Sequence, residues 1–232
     1  MTTRIFLIRH GATTLTEESR FAGASSDVPL SEEGRQQAQQ LTARLAGMHF
    51  AGIYASPLGR AMDTARILAA PHGLPIIQVS ALREIDHGHW DAKTRDDVET
   101  QFPEEYAAWE EDPFSFAPAG GETGLAVTAR ALPALLDIVR THDNHSVLVV
   151  SHKATIRLII SSLLGFDPRM YRDHLDLSPA SLTIVDFKNV FQARLTVYND
   201  TAHYSALGMA IPEVPSGKLS KAWGEPGSDA QS

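Results

Sequence analysis

The sequence contains no cysteine. Disulfide staples, thiolate zinc sites, iron–sulfur clusters and a cysteine nucleophile are therefore excluded. Long apolar runs are also missing. The run near the N-terminus, Ile5 to Ile8, is too short for a signal segment or a membrane span, so a cytosolic protein with no membrane partner is expected. Basic residues are outnumbered, 20 Lys and Arg against 28 Asp and Glu, for a net charge of -8. A nucleic-acid partner requires a broad basic face and is not expected. A small phosphorylated ligand is compatible, because a few arginines converging in one pocket set the local potential whatever the global sum. The remainder, 43% hydrophobic and 21% charged residues over 232 positions, is ordinary globular composition. It suffices for one large domain or one domain with an insertion.

Ile5-Phe6-Leu7-Ile8 reads as a buried strand, and two runs resemble it: Gly52–Ala55 before Ser56-Pro57, and Ser146–Val150 before Ser151-His152. Continuous apolar strands of this kind belong to parallel sheets covered on both faces. Helical periods lie between them. Ser31 caps a helix with Ala38, Leu41, Leu45 and Met48 on one face, and Pro57 suits the first turn of a helix running to about Ala70, before Pro71 and Gly73. A third helix runs from Thr123 to about Arg140 with Leu132, Leu135, Leu136 and Val139 in its stripe. After His152 a fourth carries Ile156, Ile159, Ile160, Leu163 and Leu164 and stops at Gly165. The alternation predicts an α/β fold, a three-layer α/β/α sandwich with a mostly parallel central sheet.

Two segments depart from it. Residues from about 91 to 121, preceded by Trp90, carry Phe102, Tyr106, Trp109, Phe114 and Phe116 broken by prolines, which predicts a short helical insertion acting as a lid over one end of the sheet. Ser181 to Phe187 and Phe191 to Tyr198 predict an antiparallel pair turning about Lys188-Asn189, and such an edge would permit a homodimer. One domain over 1–212 is expected, with the Pro-, Gly- and Ser-rich stretch 213–232 as a loose tail.

Open α/β sheets place ligands at the C-terminal ends of their parallel strands. The first strand ends in Arg9-His10 and a later one in Ser151-His152, so the two histidines are predicted to face one another across a crevice. Arg60, early in the helix after another strand, would point into it, and Arg157 would add charge or flank it. Forked guanidinium groups hold a dianionic phosphoryl group, and a neutral imidazole is a competent nucleophile because its ordinary pKa is about 6.5. The combination fits phosphoryl transfer through a covalent intermediate. His87-Gly88-His89 offers a pair of metal ligands, but no third and fourth follow at a recognisable spacing, so no metal is expected. No cofactor is expected either. There is no Gly-x-Ser-x-Gly elbow, no Gly-x-Gly-x-x-Gly after the first strand, and Pro215-Ser216-Gly217-Lys218 lacks the leading glycine of a P-loop. His203 reads as structural, and His49, His72, His142, His145 and His174 as surface or loop residues.

Arg9-His10-Gly11 with Thr13 resembles the opening signature of the histidine phosphatase superfamily, the phosphoglycerate-mutase-like enzymes. The resemblance continues through Arg20, Gly23, Asp27-Val28-Pro29-Leu30-Ser31, Gly34 and Gln37-Ala38, then Ser56-Pro57-Leu58-Gly59-Arg60-Ala61 with Thr64-Ala65. It closes with Leu82-Arg83-Glu84, Gly88, Trp90, Gly120-Gly121-Glu122-Thr123 and Ser151-His152 with Arg157, covering roughly 4 to 200. It implies that His10 is the nucleophile, that Arg9, Arg60 and His152 surround the phosphoryl oxygens, and that Glu84 is the general acid for the leaving alcohol and then the base for water. Glu84 then needs a protonated population, supplied by burial beside the lid or by the anionic phosphate. Asp86 and Asp91 are rivals for that role on spacing alone.

This chain departs from the family at several places. Thr16 stands where members often carry Asn, though it can still donate one hydrogen bond to substrate. Ala12 stands where Glu is frequent, Lys153 where many have Gly, and Trp90-Asp91-Ala92 replaces a common Trp-Glu-Gly. Gly23 and Lys153 join Thr16 as candidate substrate contacts. The insertion is acidic, with Glu99, Glu104, Glu105, Glu110, Glu111 and Asp112, which favours hydrolysis over a mutase that would hold its intermediate under a basic lid. The alternatives are such a mutase, or a non-catalytic member that binds phosphorylated ligands.

Overall fold

The computed structural model describes residues 2–205, so the stretch 213–232 lies outside the described residues. Strands β1 (Thr3–Arg9), β2 (Gly52–Ala55), β3 (Ile76–Gln78), β4 (Ser146–Ser151), β5 (Leu182–Asn189) and β6 (Gln192–Asp200) form one sheet in the order β3-β2-β4-β1-β5-β6. β3, β2, β4 and β1 run parallel, and β5 and β6 are antiparallel additions at one side. In the central strands β1 and β4 nearly every side chain is covered, and the period of two sends alternate residues to opposite faces. Ile5, Leu7, Val147 and Val149 pack on one side with Leu135, Ile156 and Ile159. Phe6, Ile8, Leu148 and Val150 pack on the other with Leu41, Ala65 and Leu68. The first face is covered by α6 (Gly124–Thr141) and α7 (Lys153–Leu164), the second by α2 (Glu32–Leu45) and α3 (Gly59–Ala69). This is the expected three-layer sandwich.

Several helix ends follow local chemistry, and others are capped from a distance. Ser31 accepts from Gly34 N at 3.1 Å to cap α2, and Gly165 closes α7 at φ 70°. Helix α3 begins at Gly59 and not at Pro57, because its cap comes from a distant loop. Asp27 accepts from Gly59 N at 2.6 Å and from Arg60 N at 3.4 Å. The β5–β6 turn falls at Val190-Phe191, later than the Lys188-Asn189 expected, since Asn189 stays in the strand and its side chain accepts from Phe191 N at 2.9 Å.

The insertion contains α4 (Arg95–Gln101) and α5 (Pro103–Glu111). Trp90, Val98, Trp109, Phe102, Tyr106 and Phe116 enclose a small core of their own with Phe21, while Phe114 leaves it to pack near Ile85, Val127 and Tyr171. Short helices α1 (Thr14–Glu17) and α8 (Tyr171–His174) complete the elements used below. Among the described residues no helix is long and apolar enough to cross a membrane.

The loop leaving β1 lies directly on the first turn of α2. A Cβ on Gly34 would stand 2.1 Å from the Ala12 oxygen, and one on Gly11 2.4 Å from the Gly34 oxygen, so only paired glycines allow the approach. Ala12 O accepts from Ser31 N at 2.9 Å and Ala12 N donates to Gln37 Oε1 at 3.1 Å, which fastens the residues after His10.

Candidate active site

Parallel register brings the strand ends together. Arg9 pairs with Ser151 across β1 and β4, and His10 N donates to Ser151 O at 3.0 Å, so the following residues, His10 and His152, leave the sheet side by side. Their ring centroids are 5.1 Å apart. Both rings are buried, as are Arg9, Arg60 and Glu84.

The contacts fix the tautomer of His10. Nδ1 lies 2.7 Å from the Gly11 carbonyl, which can only accept, so Nδ1 carries the hydrogen. Nε2 then holds the lone pair and accepts from Arg60 Nε at 3.3 Å. Burial, then Arg60, then Arg9 hold the ring's pKa well below the ordinary histidine value, so the lone pair is available in neutral solution. His152 is shifted in the same direction by burial, Arg60, His10 and Arg9. Its Nε2 lies 2.7 Å from Ser56 Oγ, and its Nδ1 is buried without a partner.

The arginines are held by backbone carbonyls. Arg60, 0% exposed, donates to Ser26 O at 2.9 Å, Gly23 O at 2.9 Å and Ala22 O at 3.3 Å, and lies 3.5 Å from Asp27. Its terminal nitrogens are thereby engaged, and the Nε edge is the one turned to His10. Arg9 donates to Leu177 O at 2.6 Å, while its Nε is buried and unpartnered. Burial lowers its pKa to about 10, a range in which it stays charged. Buried polar atoms seldom go unpaired, so the orphaned Arg9 N–H and the orphaned His152 nitrogen are open to an anionic ligand.

Glu84 reaches the site from the opposite loop and makes every contact as an acceptor. It takes Ile85 N at 2.9 Å, Ala154 N at 3.1 Å and Thr155 N at 3.2 Å. The carboxyl thus sits on the N-terminus of α7, where the helix dipole favours negative charge, directly beside His152. Its rivals are placed differently. Asp86 closes a turn through Gly88 N at 2.8 Å and Ser25 Oγ at 3.1 Å, and Asp91 accepts from Gly23 N at 2.7 Å with its other oxygen buried and unpartnered.

The remaining candidates separate. Gly23 is gripped on both sides, its N–H by Asp91 and its carbonyl by Arg60, so in this form it holds the arginine in place. Thr16 gives its one hydroxyl hydrogen to Thr13 O at 2.8 Å and accepts from Thr13 N at 2.7 Å, closing a capping box on α1. To touch substrate it would have to leave that box. Lys153, the first residue of α7, is 3.3 Å from Asp176 and partly exposed. Burial, Arg9 and Arg157 lower its pKa to about 8. Arg157 is turned away to the carbonyls of Tyr171 and Arg172 and anchors α8. His87, weighed above with His89 as a pair of metal ligands, lies edge-on to Phe21 at 4.9 Å, and burial, outweighing Glu84 and Asp91, holds its pKa below the ordinary histidine value.

Comparison with known proteins identifies the family. The family model described as histidine phosphatase superfamily (branch 1) matches residues 5–201. Phosphoserine phosphatase 1 of Hydrogenobacter thermophilus is 34% identical over 71% of this chain and 77% of its own length. Adenosylcobalamin/alpha-ribazole phosphatase of Escherichia coli is 30% identical over 86% of this chain and 97% of its own. Among solved structures, Bacillus stearothermophilus YhfR superposes with a TM-score of 0.80 at 33% identity, covering 87% of this chain and 98% of that one.

Proposed function

This chain belongs to the histidine phosphatase superfamily, branch 1, and from that premise we propose that it hydrolyses small phosphomonoesters by passing the phosphoryl group through His10. The phosphatases among its relatives support the activity class. The observation that carries the mechanism is the His10 tautomer, with Nε2 unprotonated beside Arg60 Nε, while Arg9 Nε and His152 Nδ1 are buried without partners.

In the first step the Nε2–P bond forms as the P–O bond to the alcohol breaks, and Glu84 in its acid form gives its proton to the leaving oxygen. Arg9 Nε, the Arg60 Nε edge and His152 Nδ1 hold the oxygens as charge develops on them. Water then attacks phosphorus, loses its proton to Glu84, and frees His10 and inorganic phosphate. Lys153, loosely paired to Asp176, extends the cationic lining toward the leaving group. Hydrolysis is preferred to mutase chemistry because the insertion stays acidic at its surface, with Glu99, Glu104 and Glu111 exposed and Glu110 tied to Arg172 at 2.8 Å.

A chromogenic phosphomonoester assayed with and without EDTA tests this reading. The wild type is expected to turn over equally in both, and His10→Ala to lose at least about 10³-fold in kcat/KM. A quenched reaction should trap an acid-labile, base-stable label that His10→Ala lacks. Equal turnover by the two proteins sinks the nucleophile assignment, and EDTA inhibition sinks metal independence.

A further inference from the structure

The loop from Ala81 to Asp86 carries Glu84, and its position depends on side chains from elsewhere, because a strand ladder does not hold it. Arg130, on α6, closes all five of its N–H groups there. Nη1 donates to Ala81 O at 2.7 Å and to Arg83 O at 2.8 Å, and Nη2 to Glu84 O at 3.0 Å. Nε and Nη2 grip the two oxygens of Glu122 at 3.0 and 2.8 Å. Glu122 in turn accepts from Asp86 N at 3.2 Å and from Arg83 Nη2 at 3.0 Å. The carbonyl that Arg130 misses, Leu82 O, is taken by Ser151 Oγ at 2.8 Å, and Thr155 Oγ1 adds a second donor to Arg83 O at 2.8 Å. Every carbonyl from 81 to 84 thus has a side-chain donor, and the next N–H beyond Ile85 is held by the same carboxylate that clasps Arg130.

The geometry points to Arg130, clasped by Glu122, as a positioning residue for Glu84: through the main chain it fixes where the carboxyl stands relative to the leaving oxygen. The inference rests on the reading of Glu84 as the acid and adds the residues that aim it. Neither side chain is hydrogen-bonded to Arg9, His10, Arg60 or His152. Glu122 lies in the Gly120-Gly121-Glu122-Thr123 block, to which the sequence assigns no role, and Arg130 lies in no block at all. A planar five-donor fork is needed because three carbonyls and a carboxylate converge on one point, a geometry lysine cannot match.

A purely structural clamp and an acid-aiming clamp differ in one measurable way. Nitrophenol departs without a proton, whereas an alkyl alcohol needs one, so misplacing the acid harms only the poorer leaving groups. kcat/KM, which reports the step that expels the alcohol, is measured over a series of aryl and alkyl phosphomonoesters. The proteins are wild type, Glu84→Gln, Arg130→Met, Arg130→Lys and Glu122→Gln, with thermal melts alongside. Arg130→Met and Glu122→Gln are expected to lose about 10- to 100-fold on alkyl esters and less than about 3-fold on the nitrophenyl ester. Arg130→Lys should recover part of the loss, and Arg130→Met in the Glu84→Gln background should add nothing on alkyl esters. A uniform loss across the series, or a further multiplicative loss in that background, overturns the inference. If Arg130→Met does not fold, the isosteric Glu122→Gln decides alone. A steep Glu84→Gln profile with flat Arg130→Met and Glu122→Gln profiles removes this inference only. A flat Glu84→Gln profile removes the acid assignment itself and the inference with it.

Discussion

His10 and His152 are held neutral by burial and by the neighbouring guanidinium charges, and this has a cost in acid. With their folded pKa values depressed, the unfolded chain takes up protons near pH about 6.5 that the folded protein refuses, so stability falls as pH drops below that value. Carboxylates held low by ion pairs, such as Glu122 and Asp186, lose their contribution only in the more acidic carboxylate range. Melting temperature is therefore expected to decline already between about pH 7 and pH 5, and His10→Asn/His152→Asn to flatten that decline. An unchanged slope in the double variant counts against the burial argument. At this scale the sequence was most readable where a functional side chain sits at a strand end. Arg9, His10 and His152 were found because the strand that delivers each ends there. Asp27 and Arg130 act on atoms far along the chain, 32 residues away at Gly59 and 49 at Ala81, and a polar residue on a loop or a helix flank reads as solvated until its partner is known.

The helices and strands were legible wherever one periodicity ruled. The stripe of α7 and the continuous apolar β4 identify themselves, and α6 forms in spite of Pro133 because Ala131, Leu135 and Ile138 bury one face on the sheet and Val127 packs against Ile85 and Leu158. The start of α3 was misread because its cap is not local. The contact between the β1 loop and α2 is a second feature that periodicity does not encode. Gly34→Ala places a methyl group against backbone that has no room to move, and overpacking of this kind costs about 1–3 kcal/mol. For a protein of this size that is a fall of about 3–10 °C in Tm. The same displacement moves the peptide after His10, so kcat should fall with it. Calorimetry and steady-state kinetics on one preparation check both, and a wild-type Tm would show that the two backbones can separate cheaply.

The whole molecule joins two apolar faces, a polar crevice at the strand ends and an insertion with its own aromatic core. Fold class followed from strand and helix alternation alone, whereas the mini-core of the insertion did not, because its aromatics have neither period two nor period 3.6 over a useful length.

The pairing of Arg9 with Ser151 has a further consequence. His10 and His152 hang from adjacent central strands, the segment in which amide hydrogens exchange last, and so they have no private route to disorder. Heat should extinguish turnover on the same curve that erases the far-ultraviolet dichroism. Activity vanishing well before the ellipticity would mean that the crevice softens ahead of the scaffold beneath it. A hydrolase built this way ages as a unit, working at full rate until the scaffold itself gives way.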